Sequence, residues 1–117
     1  MDETSPDVAL FTYGTLQLPS VQLDTFGRLL DAEDDVLTGY TIDYLEIDDP
    51  HVTGVSGHDV HPILRRTGAR LDKVVGKLVR LSEAELEAAD EYEVSGYRRE
   101  HVVLDSGTPA WVYVAQI

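Results

Sequence analysis

The chain has 117 residues, a net charge of −13, 22 acidic residues against nine Lys and Arg, and no cysteine. Disulfides, a thiol nucleophile and cysteine-ligated zinc are excluded. So even an acidic coat disfavours nucleic acid and anionic membrane surfaces as partners, and no run of about 18 apolar residues offers a transmembrane helix.

The length is that of one compact domain. Residues 1–6 are polar and lack the basic and apolar regions of a signal peptide, so they read as a disordered lead-in to a single domain over 7–117. Together with the absence of cysteine this fits a cytoplasmic protein. The density of aspartate is that of a halophilic-type surface, in which strong salt screens self-repulsion. A protein of that kind should unfold at low salt and be rescued by molar KCl; thermal melts across a KCl series check this, and a melting temperature indifferent to salt would mark an ordinary acidic protein.

Val8 to Tyr13 is apolar and β-prone, a strand that stops at Gly14. Gly14 permits a turn and a close backbone approach to a ligand. The N–H groups of Thr15 and Leu16 and the Thr15 hydroxyl then become donors for an anion; the same pattern also makes an ordinary turn after a buried strand. Pro19 breaks the chain, and Ser20 is placed to cap a helix over 21–30 with Leu23, Phe26 and Leu30 on its buried stripe. Asp31-Ala32-Glu33-Asp34-Asp35 reads as a solvated acidic loop, followed by strands over 36–40 and 42–45. Residues 48–57, rich in Asp, Gly, Pro and Ser, read as a mobile loop, and 59–64 as a further strand. His58 and His61 with Asp59 have a ligand-like spacing but no second cluster, so no metal site is assigned. The basic turn 65–70 either meets an acidic ligand or balances local aspartates.

Lys73–Leu81 is a strong strand. Ser82 and Glu85 form a capping box at the start of a helix, with Leu81 and Leu86 placed as a hydrophobic staple. Tyr97–Leu104 and Pro109–Ala115 flank Asp105-Ser106-Gly107 as a hairpin. In the Ser82 helix Leu86 and Ala89 set the buried face, which puts Asp90 and Glu93 on or beside it, while Glu83, Glu87 and Glu91 project to solvent. A carboxylate so placed needs compensation. Either it pairs with Arg98 or Arg99 or caps a turn, or, for Glu93, it lines an enclosed cavity where burial raises its pKa toward that of a general base.

The ordered set Tyr13-Gly14-Thr15-Leu16, Val75-Gly76-Lys77-Leu78, Leu81-Ser82-Glu83-Ala84-Glu85-Leu86, Asp90-Glu91-Tyr92-Glu93, Tyr97-Arg98-Arg99 and Ala110-Trp111-Val112-Tyr113-Val114 resembles the gamma-glutamylcyclotransferase-like (AIG2-like) family over roughly residues 8 to 114. The resemblance implies an α+β fold, a small mixed β-barrel flanked by short helices. It implies an enzyme that takes a small-molecule gamma-glutamyl substrate and releases 5-oxoproline, with no cofactor. By the same resemblance Glu93 is the catalytic acid/base; Tyr13, Gly14, Thr15 and Leu16 cradle the substrate, and Tyr97 and Tyr113 are the accompanying aromatics. Two features depart from the family pattern: Val94 stands where a glycine commonly follows the glutamate, with Gly96 delayed, and the loop continues Gln17-Leu18-Pro19-Ser20 without a basic or glycine-rich run. Both bear on substrate choice. The alternative reading is a non-catalytic small-molecule binding or interaction module on the same fold; a metal-dependent hydrolase using His58 and His61 is a weaker third.

Overall fold

The computed structural model describes residues 7–47, 59–92 and 97–115. In chain order they form β1 (Val8–Thr12), a 3₁₀ turn (Thr15–Gln17), α1 (Pro19–Phe26), β2 (Asp31–Thr38), β3 (Tyr40–Ile47), β4 (Asp59–Arg66), β5 (Lys73–Leu81), α2 (Glu83–Tyr92), β6 (Tyr97–Val103) and β7 (Pro109–Ala115). The lead-in 1–6 and the loop 48–57 lie outside the described residues, as do His58, Glu93, Val94 and Gly96 and the side chains of Asp59 and His61.

A five-stranded sheet runs in the order β2-β5-β1-β7-β6, and β3-β4 form a separate pair. β1 is central, antiparallel to β5 and parallel to β7. A strand covered on both faces must be apolar on both, which is why Val8, Leu10 and Phe11 are all buried. One face of the sheet carries Phe11, Val74, Leu78, Val112 and Val114 and meets Leu64 and Ile42 of the two-stranded pair. The other carries Leu10, Val79, Leu81 and Tyr113 and meets Leu16, Leu86 and Ala89 from the helical side.

The class is mixed α+β, but among the described residues the sheets do not close into the barrel that the resemblance implied. β2 pairs only with β5 and β6 only with β7, so two edges stay open. The curled sheet brings those edges together at one turn: Asp105 N donates to Val36 O at 2.8 Å. At Gly39, whose φ of 89° favours glycine, the chain leaves β2 for β3. The β3-β4 pair then packs across the opening instead of completing the ladder.

The turn at the meeting point is pinned by Asp35. Its carboxylate accepts from the Ser106 hydroxyl at 2.6 Å, from Val36 N–H at 2.8 Å and from Ser106 N–H at 3.3 Å. Burial pushes this carboxyl up, but the three hydrogen bonds outweigh it and hold it below its ordinary value. A depressed folded pKa gives stability that is present above the ordinary carboxylate range and lost as pH falls through the folded value. The melting-temperature gap between wild type and Asp35→Asn should therefore shrink as pH falls from neutrality to below about 3; a constant gap would contradict this role.

β2 begins at Asp31, so the acidic stretch is a strand and not a loop. Its partner strand supplies what its own composition lacks: Asp34 lies opposite Lys77 and Asp31 opposite Arg80, and Lys77 and Asp34 form an ion pair. Exposed charge on an edge strand also blocks further pairing. α1 starts at Pro19 with Leu18 as its cap residue, and Ser20 lies inside it. Leu23 is 51% exposed while Gln22 is 5% exposed, so the apolar stripe read from Leu23, Phe26 and Leu30 is displaced. By contrast β5 has its expected limits. The capping box of α2 is complete, with Ser82 N donating to Glu85 Oε1 at 2.9 Å and Glu85 N to Ser82 Oγ at 3.1 Å.

Candidate active site

The loop after β1 enters a single 3₁₀ turn closed by Gln17 N–H to Gly14 O at 3.3 Å and Leu18 N–H to Thr15 O at 3.0 Å. The first N–H groups of such a turn, here those of Thr15 and Leu16, stand outside its own hydrogen bonds. Gly14 has φ −118°, an angle open to any residue, and an added Cβ would reach only Pro62 Cγ, at 3.9 Å. The turn therefore does not require glycine's special angles; the missing side chain keeps space open toward Pro62. Leu16 is buried in the helix-side core and anchors the loop by its side chain.

Gln22 holds that loop from behind. Its Nε2 donates to Leu16 O at 3.0 Å and its Oε1 accepts from Leu30 N–H at 3.0 Å. Both backbone groups lose their partner in Gln22→Ala, which should lower unfolding free energy by about 2 kcal/mol; denaturant titration would show this, and an unchanged midpoint would contradict it.

Three of the predicted site tyrosines and the loop converge. The Tyr13 hydroxyl donates to Tyr113 O at 2.7 Å. The Tyr113 hydroxyl donates to Asp90 Oδ1 at 2.7 Å, and Arg99 Nε donates to the same oxygen at 2.8 Å. The Tyr97 hydroxyl donates to Pro62 O at 2.5 Å. Thr15 Oγ1 and the Tyr92 hydroxyl share a hydrogen bond of 2.5 Å, which ties the loop to the last residue of α2. Of the two acids read beside the buried stripe of α2, Asp90 takes the paired option, and its partner is Arg99, whose guanidinium also lies 4.5 Å over the Trp111 ring. Glu93 follows Tyr92 directly in sequence and lies outside the described residues.

Sequence reasoning missed Gln22, Pro62 and Tyr92. A lone glutamine in an amphipathic stretch and a proline in a strand carry no local signal of a site. Tyr92 sits inside the quoted Asp-Glu-Tyr-Glu segment, and its partnership with Thr15 needs the tertiary fold to be seen. No group of three or more potential metal ligands occurs among the described residues, and none of their helices is long and apolar enough to cross a membrane.

Comparison with known proteins bears on the fold and the family. No curated protein matches the chain. Among solved structures, a solution structure of a protein from Arabidopsis thaliana superposes with a TM-score of 0.73 at 25% identity, covering 98% of this chain and 66% of that one; the chain thus spans just under two thirds of that relative. A second Arabidopsis thaliana solution structure gives a TM-score of 0.72 at 20% identity, covering 99% and 74%. The crystal structure of an uncharacterized protein from Pyrococcus horikoshii gives 0.66 at 19% identity, covering 95% and 80%, and these last two speak to fold alone. The sequence model described as gamma-glutamyl cyclotransferase, AIG2-like, matches residues 10–117, and over that span the chain belongs to this family.

Proposed function

We propose that the protein is a cyclotransferase that releases 5-oxoproline from a gamma-glutamyl amine or amino acid, with Glu93 as general acid/base. The observation that carries the reading, beside family membership, is the Thr15–Tyr92 hydrogen bond. It sets the family's Tyr-Gly-Thr-Leu loop against the end of the helix that leads into Glu93.

A gamma-glutamyl compound holds its α-ammonium and its γ-amide carbonyl in one molecule. Folding the substrate so that the nitrogen lies against that carbonyl makes attack intramolecular, and this orientation supplies much of the acceleration. Glu93 takes a proton from the α-ammonium, and the amine forms the new C–N bond to the γ-carbon. The tetrahedral oxyanion is held by N–H donors of the Tyr13–Leu16 loop, or that loop holds the α-carboxylate. Collapse breaks the original C–N bond, and Glu93 protonates the departing nitrogen. In all, the α-nitrogen loses two protons on becoming the ring amide and the leaving group gains two as an ammonium ion, so charge and atoms balance without an external reagent.

Tyr113 and Asp90 have a structural part in this scheme. The hydroxyl of Tyr113 is fixed by Asp90 while its carbonyl fixes Tyr13, so the aromatic wall is oriented from two sides. A panel of gamma-glutamyl amines and amino acids, assayed for 5-oxoproline in molar KCl, tests the reading. Turnover of one class is expected. Stoichiometric ligand binding by folded protein with no turnover would favour the non-catalytic binding module instead.

A further inference from the structure

A cavity of about 400 Å³ opens at the other end of the β3-β4 pair. It lies where Tyr40 pairs with Arg66, four residues along β4 from Pro62, on the order of 13 Å from the candidate active site. Leu37 and Val102 contribute apolar lining, Thr38 and Tyr40 hydroxyl-bearing side chains, and Arg66 and Arg70 positive charge.

The cavity lining is basic although the chain as a whole is acidic. Arg28, Arg65, Lys77, Arg98 and Arg99 pair with acids, and of the remaining four cations, Arg66, Arg70, Lys73 and Arg80, only Arg66 and Arg70 line the cavity. Among the described residues neither Arg66 nor Arg70 has an acidic partner, and no carboxylate lines the cavity. Arg66 shares the face of β4 that carries buried Leu64, as i and i+2 residues of a strand do, but it is exposed, as is Arg70, so both guanidiniums stand at the solvent-open side of the cavity. Nearby acids act on other groups: Asp105 accepts from the Thr38 hydroxyl at 2.7 Å, and Glu100 acts on Tyr40. Burial, with Glu100 adding to it and Arg66 opposing, pushes the Tyr40 phenol up, so it stays protonated and able to donate. His101 also lines the cavity, and its ring meets Trp111 edge-on with centroids 3.6 Å apart. A chain with nine cations and a net charge of −13 that leaves two guanidiniums unpaired in one cavity has the donor set for a planar or tetrahedral oxyanion.

We propose that this cavity, separate from the Tyr13 loop, binds a small oxyanion of two or more negative charges, with Arg66 and Arg70 as its principal ligands. The chemistry is that of a phosphate group, supplied either as the free ion or as a small phosphomonoester. The volume is within the range of small-ligand pockets, and the apolar lining leaves room for the organic part of an ester.

Titration of the full chain with inorganic phosphate and with glycerol 3-phosphate, followed by amide NMR shifts at fixed KCl, tests this. Saturable one-to-one shifts at residues 38–40 and 66–70 are expected. Affinity should fall by about tenfold or more in Arg66→Gln/Arg70→Gln, and should be kept in Arg65→Gln/Lys77→Gln, which changes the net charge equally. Tighter binding of the ester identifies the organic phosphate as the ligand class; equal binding identifies the free ion. Shifts linear in phosphate concentration, or equal loss in both double variants, would overturn the site.

Discussion

Glu93→Gln should abolish most 5-oxoproline formation, lowering kcat by roughly 10²–10⁴-fold, the usual contribution of a positioned acid/base. Glutamine keeps the size and polarity of the side chain and removes only its ability to accept and return a proton. KM should change little, because the proposed contacts to the glutamyl carboxylate come from the Tyr13–Leu16 loop and not from Glu93. The thermal melt should stay close to wild type, since the proposed role of Glu93 is chemical and does not hold up the fold. A variant with near-wild-type kcat would remove Glu93 from the mechanism. A variant with raised KM and unchanged kcat would reassign it to binding.

Gly76→Ala should be among the most destabilising single-atom-scale changes available in this chain, at about 3 kcal/mol. A Cβ at this position would lie 2.5 Å from Thr12 O and 2.8 Å from Phe11 Cζ. The phenyl ring belongs to a fully buried side chain, and the carbonyl is backbone of the central strand, so neither can yield by a change of rotamer. Gly76 thus marks a close approach of β5 to β1. Relief would push the end of β1 outward, and Tyr13 is the next residue. The variant should therefore lose activity at temperatures where it is still folded, beyond the loss of stability seen by denaturant titration. Wild-type stability in Gly76→Ala would show that the two strands are more loosely apposed than this contact requires.

How much of this was legible in the sequence depends on how local the cause was. β5 and the start of α2 follow from short-range rules: a run of branched residues, and a Ser82–Glu85 box in which each side chain satisfies the other's backbone N–H. The acidic first part of β2, residues 31–35, reads as a loop because Asp and Glu are poor strand formers. Its partner is β5, whose Lys77 and Arg80 lie opposite Asp34 and Asp31 more than 40 residues away, and no local window contains them. In α1 the apolar spacing pointed to Leu23, but what the core needed at that helix was a polar side chain able to satisfy Leu16 O and Leu30 N–H at once, and Gln22 provides it. The resemblance implied a barrel; the structure brings the sheet edges together through Asp35, Thr38 and the Asp105–Ser106 turn, with no ladder between them.

The candidate site divides in the same way. No spacing rule links Tyr13 to Tyr113, exactly a hundred residues later in the chain; the family resemblance supplied that pair, and the described geometry places the two in contact. Asp90 is legible as an acid beside the buried face that needs a partner, and Arg99, one of the two arginines within reach in the sequence, is that partner. The Arg66–Arg70 cavity was not legible, because a basic turn in an acidic chain reads first as charge balance, and only the fold reveals that these two arginines are left out of it.

The most direct test of the account is the identity of the product formed in water enriched in heavy oxygen. Intramolecular attack by the α-amine takes no oxygen from solvent, so the account predicts unlabelled 5-oxoproline from the turned-over gamma-glutamyl substrate, together with one equivalent of free amine. Glutamate carrying one heavy oxygen would show that water is the nucleophile, and would contradict the cyclotransferase reading while leaving the fold and the family membership intact.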